Sequence, residues 1–342
     1  MGPDRRRQPA RLGAGRLGKG LWAVVALGGL LGANFVLFPD QFIVFRDGRL
    51  FGTLSEILLQ GSTVMLLAVG MTLVIATGGI DLSVGSVMAM SGAVAALLLT
   101  QTRLPLGVVL AAALAVALVA GLWNGVLVAF LRLQPIVATL ILLVAGRGVA
   151  QIVTGGQIVT FHQASFEFIG NGVVLGLPFP VFLAAAVAVA TIVVARVTVA
   201  GLYVEAVGDN ERASRLAGLR PGLVKTLVYG FSGLCSGVAG LVAAAYIRAA
   251  DVMKCGEYIE LDAILAVVIG GTSFSGGRAR IVGSLVGALI MQTLTTTIRM
   301  LNVPAHYTLV VKAVTVVVVC ALDSQQFRAL LRRLVRRRRV AA

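Results

Sequence analysis

The chain has 342 residues, 58% of them hydrophobic and only 13% charged, and its mean hydropathy is +0.97. A soluble domain carries about 25% charged residues, so these proportions exclude an ordinary globular enzyme and describe a polytopic membrane protein. The net charge of +15 is not spread over a surface: six basic residues fall between Arg5 and Lys19 and seven arginines between Phe327 and Arg339, both beside apolar runs. Such clusters hold topology and meet anionic lipid, and no nucleic acid is expected as a partner.

Residues 1–20 are basic, glycine-rich and without apolar periodicity, and read as a disordered cytoplasmic tail. Within them GAGRLGKG fits G-x-G-x-x-G and most of a phosphate loop, but Gly20 stands where Ser or Thr is required, no strand precedes it and a span follows at once. The chain therefore has no nucleotide site of its own in this stretch. Uncharged or nearly uncharged apolar runs then predict spans at 21–38, 63–79, 84–100, 106–130, 136–155 and 178–197. After a polar segment at 198–225, further spans are expected at 226–245, 259–271 (short), 281–301 and 308–322, followed by a basic tail at 324–342. The expected architecture is an all-α polytopic protein of about ten transmembrane helices, a transmembrane domain over 21–323, with both termini cytoplasmic.

The charges test that count. With a cytoplasmic N-terminus, 21 of the 29 basic residues fall inside, six outside, and Arg147 and Lys312 within spans. Most acidic residues beyond the tails and the 198–225 loop fall outside, among them Asp40, Asp47, Glu56, Glu167, Asp251, Glu257 and Glu260.

Two interruptions stand out. Between spans two and three, Gly78, Gly79, Gly85, Asp81 and Ser83 break helical regularity around a single carboxylate. Such a break is tolerated at membrane depth only where protein or water satisfies the freed backbone, so it lines a path or contact surface, or else is a tight turn at the membrane edge. TLVIATGGIDLSVGS from Thr72 is similar to AVVIGGTSFSGG from Ala266, and each precedes a small-residue span. Duplicated halves with broken helices at equivalent places are common in transporters. The second break has Thr272, Ser273 and Ser275 but no acid, so Asp81 reads as a cap or anchor of the break rather than an ion carrier.

The longest polar interruption, 198–225, holds Glu205, Asp209, Glu211, Arg212, Arg215, Arg220 and Lys225. Asp209 or Asn210 can cap a short helix over 211–217 that Gly218 and Pro221 end. It reads either as a solvated loop or as a docking element.

GMTLVIATGGIDLSVGSVMAMSGAVAA, EAVGDNERASRLAGL and ELDAILAVVIGGTSFSGGR resemble, in order and spacing, the three signature stretches of the membrane permeases of bacterial ATP-binding-cassette sugar importers of the ribose and galactose type. The resemblance covers roughly residues 50–325. DGRLFG, GLWNGVLVAFLRLQP and ATLILLVAGRGVAQIVTGGQIVTF are most similar to the galactofuranose type within that family. The resemblance implies a type II importer fold in the bacterial cytoplasmic (inner) membrane and a loop that docks into an ATPase subunit. Position by position, Glu205, Ala206, Gly208, Asn210, Ala213, Ala217 and Gly218 match the docking motif, while Val207 stands where its second alanine is found. It further implies no cofactor in this chain, ATP and Mg being bound by the partner ATPase. The other implied partners are a periplasmic or extracellular sugar-binding protein and a second permease, identical or homologous.

A sugar path needs hydrogen-bond partners and aromatic faces. The candidates are Thr72, Asp81 and Ser83 at the first break, Trp123 and Asn124 in the fourth span, and Arg147 and Gln151, four apart on one face of the fifth. An intramembrane arginine is costly unless paired, so Arg147 either contacts cargo or ties helices together. Lys312 is expected to snorkel. Cys235, Cys255 and Cys320 show no metal or disulfide spacing, and His162 and His306 read as surface residues, so no metal site and no catalytic role are expected. A rival reading, an ion-coupled secondary sugar transporter, has only Asp81 and Asp262 to carry coupling.

Overall fold

The computed structural model of the chain describes residues 16–46, 48–304, 307 and 310–314. Asp47, His306, Cys320, residues 1–15, most of the expected tenth span and the arginine-rich tail at 324–342 lie outside them.

Helix α1 (Arg16–Leu37) is followed by a single turn, α2 (Pro39–Phe42), and a hairpin of β1 (Val44–Arg46) and β2 (Arg49–Phe51). Then come α3 (Thr53–Ala76), α4 (Val84–Gln101), α5 (Leu106–Ala129) and α6 (Pro135–Thr154). Beyond β3 (Val159–Thr160) lie α7 (Ala164–Asn171) and the strands β4 (Val173–Val174) and β5 (Leu177–Pro178), which pair with each other. The chain continues through α8 (Phe179–Val197), α9 (Val199–Asp209), α10 (Glu211–Leu216), α11 (Pro221–Ile247), β6 (Ala249–Ala250), α12 (Ile259–Ile269) and α13 (Ile281–Met300).

Seven of these helices, α3, α4, α5, α6, α8, α11 and α13, are long and apolar enough to cross a membrane, while the apolar part of α1, Trp22–Leu37, is shorter. Apart from the tenth, most of which lies outside the described residues, the expected spans land on helices, with two shifts. The second begins ten residues earlier, at Thr53, because Thr53 to Gln60 continues the buried helix; α12, at 11 residues, reaches only about 16 Å.

Burial divides the bundle into centre and periphery. The apolar windows of α3 and α11 are 72% buried, against 22–28% for α5, α6 and α8. The centre closes tightly because small residues face one another. Gly121 and Gly125 of α5 meet Gly230, Gly233 and Thr226 of α11, where added Cβ atoms would strike backbone, and Gly70 of α3 meets Ser232. Leu66, Leu67, Met71, Met88 and Met291 fill the core between α3, α4 and α13.

At one end of the bundle sit the ends of α3, α5 and α8, the starts of α11 and α13, and the pair α9–α10. At the opposite end β3 pairs antiparallel with β6, Val159 opposite Ala250, tying the segment after α6 to the end of α11.

Candidate functional site

The site is built from the two breaks and the helix that joins them. After Ala76 the chain leaves α3 through Thr77 and Gly78, whose φ of +77° is the left-handed region that glycine enters at no steric cost. From Gly79 to Ser83 the chain then runs inside protein rather than along a surface: Tyr229 donates its hydroxyl to the Ile80 carbonyl at 3.1 Å. Asp81 Oδ1 accepts from the Ser83 amide (3.0 Å) and hydroxyl (2.6 Å), and Oδ2 from Ser232 Oγ (2.8 Å). Ser232 stands eleven residues into α11, about 16 Å along its axis, so the first break reaches membrane depth. Asn124 of α5 extends the network by donating to Ser83 Oγ at 2.8 Å. A carboxylate that accepts three hydrogen bonds is a fastener, and Asp81, 1% exposed, is the anchor the sequence implied.

The second break, 270–280, is held differently. Gly276 and Gly277 have φ of +76° and +83°, and the Gly277 amide donates to the Ala76 carbonyl at 2.9 Å, joining the two breaks directly. Thr272 Oγ1 accepts from the Arg280 amide at 3.2 Å. At the start of α13, Gly283 packs on Gly270 so closely that neither could carry a Cβ.

Helix α9 lies on this junction. The sequence predicts only one short helix in 198–225; the structure has two, because Thr198 accepts from the Ala200 amide and caps a first helix while Asn210, rather than Asp209, accepts from Ala213 and caps the second. Gly208 sits against the Ala76 carbonyl and the Gly277 amide, where any Cβ would collide with backbone. Glu205 Oε1 accepts from the Ala279 amide at 3.2 Å. Thus Glu205 and Gly208, two of the residues expected to dock, face the protein's own breaks. Asn210 caps α10, Ala213 and Ala217 are exposed beyond it, and Gly218, with φ of +86°, ends the turn. Leu216 projects there at 91% exposure, flanked by the exposed Arg212, Arg215 and Arg220. Helix α10 is fastened by Glu211, whose carboxylate meets Lys225 Nζ at 2.6 Å and Arg215 at 3.2 Å. The Lys225 hydrogen bond holds the Glu211 carboxyl below its ordinary range.

The remaining predicted path residues separate into three groups. Thr72 is fully buried and donates to Ser284 Oγ (2.7 Å), linking α3 to α13. Arg147 donates to the carbonyls of Val252 (2.7 Å), Cys255 (2.7 Å) and Gly256 (3.2 Å), and Gln151 meets Met253 Sδ at 2.9 Å. Of the two roles left open for Arg147, the structure supplies the tie: it fixes the 251–258 segment, whose Gly256 abuts Gly85 at the start of α4. Trp123 is 56% exposed on the outside of α5 and does not join Asn124, which is wholly buried. Adjacent residues point about 100° apart on a helix, so one faces the core and the other leaves it. Lys312 does not snorkel; it pairs with Asp262 of α12 at 2.7 Å. His162 is a surface residue 3.8 Å from Glu167, which also holds Arg248 at 2.9 Å.

Sequence reasoning missed Ser232 and Tyr229, and it marked the stretches that hold Ala76 and Gly277 without joining them. The first two lie about 150 positions from their partners and carry no local spacing signal.

Residues 53–320 match the family described as the branched-chain amino acid transport system / permease component. The chain belongs to this family. It is 50% identical over 290 residues to the galactofuranose transporter permease protein of Escherichia coli K12, covering 85% of each chain. It is 39% identical over 308 residues to the ribose import permease protein of the same strain (89% of this chain, 93% of the relative). It is 35% identical over 305 residues to the L-arabinose ABC transporter permease protein of Azospirillum brasilense (89% and 88%). The resemblance drawn from the three signature stretches is thus borne out over nearly the whole length. Seven apolar helices together with these relatives make the chain a multi-pass membrane permease.

Proposed function

We propose that the chain is the permease subunit of an ATP-driven importer that moves a monosaccharide, galactofuranose or a related sugar, across the bacterial inner membrane. The cargo follows from the relatives: those compared carry sugar permease names at 35–50% identity, although the family description names amino acids. The coupling follows from one geometric observation, the seat of α9 on both breaks. A helix wedged where two broken segments share a hydrogen bond converts its own displacement into movement of α3, α4 and α13 together.

The motif then divides into two working parts. Glu205, Ala206 and Gly208 transmit, while Asn210, Ala213, Ala217 and Gly218 shape α10, whose exposed Leu216 enters a groove of the ATPase subunit. That subunit binds and hydrolyses ATP with Mg, and this chain supplies no cofactor. The excess of basic residues places the α9–α10 end and both termini in the cytoplasm, with about ten spans in all and anionic lipid beside the tails. A sugar-binding protein delivers cargo to the opposite end, and a second permease, identical or homologous, completes the membrane part.

The test is uptake in proteoliposomes with the binding protein and ATPase supplied. ATP inside should drive accumulation of a radiolabelled sugar. Uptake driven by an ion gradient without ATP would establish the secondary-transporter reading instead.

A further inference from the structure

Of the path residues expected from sequence, Thr72, Asp81, Ser83 and Asn124 are buried, Arg147 and Gln151 are engaged with the 251–258 segment, and Trp123 lies on the outside of α5, so in this conformation they form no common sugar site. An open cavity, largely apolar but carrying several polar and charged side chains, lies elsewhere, at the end of the bundle opposite α9, between α3, α11, α12 and α13, with a volume of about 510 Å³. We propose that this cavity is the entry site of the permease, where a neutral monosaccharide ring is first held; the proposal rests on the sugar-import reading above.

Three observations carry it. First, the charges cancel. Asp251, Glu257 and Asp262 line the cavity beside Lys254, Arg299 and Lys312, and Lys312 is already paired with Asp262. A wall with no net sign does not concentrate ions, and it suits a polyhydroxylated neutral ligand that both donates and accepts.

Second, two facing amides are oriented in advance. Gln60 Oε1 of α3 accepts from Arg299 Nη1 (2.8 Å) and Gln292 Nε2 (3.3 Å) of α13, while Gln60 Nε2 donates to Glu56 (3.0 Å). Gln292 is only 6% exposed, its Nε2 also donates to Thr296, and its Oε1 accepts no hydrogen bond from any described residue. A free acceptor beside a guanidinium, held rigid by its neighbours, is the pair a vicinal diol engages: one hydroxyl donates to Gln292 and the next accepts from Arg299. Tyr246, partly exposed, also lines the cavity and supplies an aromatic ring there.

Third, the cavity has an apolar floor. Val64, Met88 and Val242 line it and belong to the same core as Met71 and Met291, which separates the cavity from the Asp81 break beneath. The core therefore seals the cavity toward the break, as alternating access requires of a loading site.

The experiment uses the assembled complex in proteoliposomes with radiolabelled galactose, ribose, arabinose and fructose. Gln60→Leu with Gln292→Leu should lower the uptake rate at least tenfold while the binding protein still stimulates ATP hydrolysis, a readout that a misassembled permease loses. In a second variant, Thr63→Cys in a cysteine-free background, a membrane-impermeant maleimide added on the binding-protein side should block uptake relative to the same variant before labelling. Wild-type uptake with undiminished uptake by the double variant, or labelling of Thr63→Cys without loss of uptake, overturns the entry site alone. Absence of ATP-driven uptake by the wild type overturns the import reading and the entry site with it.

Discussion

The two breaks have similar sequences and opposite construction. The first, 77–83, is fastened by side chains: one carboxylate gathers Ser83 and Ser232, and Asn124 and Tyr229 close around it. The second, 270–280, has no acid and is fastened by backbone, through Gly277 to Ala76, and by the overlying α9. The difference teaches where each can move. A break pinned by three hydrogen bonds to a buried carboxylate is a fixed point. One held by a single amide and an adjoining helix moves when that helix moves, which is what transmission of movement from the α9–α10 end requires.

The sharpest way to break this comparison is Gly208→Val. Its Cβ would meet the Ala76 carbonyl and Gly277 amide, which are backbone and cannot rotate away. Overpacking of this kind costs about 1–3 kcal/mol, and the Gly277 to Ala76 hydrogen bond is lost with it. Uptake should fall about tenfold or more (about 1.4 kcal/mol per decade), with ATP hydrolysis persisting. Wild-type uptake would show that the seat of α9 is incidental.

A second change addresses the fixed point. Asp81→Ala leaves three donors without their acceptor at a buried place, which should cost about 2–4 kcal/mol, seen as a lower midpoint of thermal unfolding in detergent. Asp81→Asn keeps an acceptor and should cost less, and it should leave any pH dependence of uptake unchanged. A shifted pH profile in Asp81→Asn would instead make the carboxylate a proton carrier.

The smallest effect is expected at α10. Because Lys225 holds the Glu211 carboxyl below its ordinary range, the pair stabilises α10 above the unfolded-state pKa of about 4.3 and loses that contribution as pH falls through the lower folded value. Glu211 is partly exposed, so Lys225→Gln should cost no more than about 1 kcal/mol. Limited trypsin digestion at Arg215 should be slightly faster in that variant at neutral pH. The difference from wild type should narrow near pH 3 by a protease active there; an equal rate at both pH values would mean that α10 is not fastened by this pair.

Much of the bundle was legible in the sequence. Seven apolar runs became seven long helices with ends within a few residues, except where α3 continued through Thr53 to Gln60, because polar Glu56 and Gln60 lie on a face that meets α13. Of the glycines that marked the breaks, Gly78, Gly271, Gly276 and Gly277 have positive φ. The helix α9 escaped notice because it lies inside the segment read as one polar interruption, although most of Val199–Val207 is apolar and Thr198 caps it.

By itself, then, the sequence determined which segments are apolar enough to leave water, where glycine forbids their continuation and where the long polar interruption falls, since each depends only on neighbours along the chain. Tertiary structure alone decided which way each polar residue points and what it meets. Trp123 leaves the core that Asn124 enters, Arg147 spends its donors on carbonyls more than a hundred positions away, and Glu205 turns to the break rather than outward. In an apolar interior a polar group must find a partner wherever packing brings one, and that partner is fixed by how the helices cross rather than by spacing in the chain.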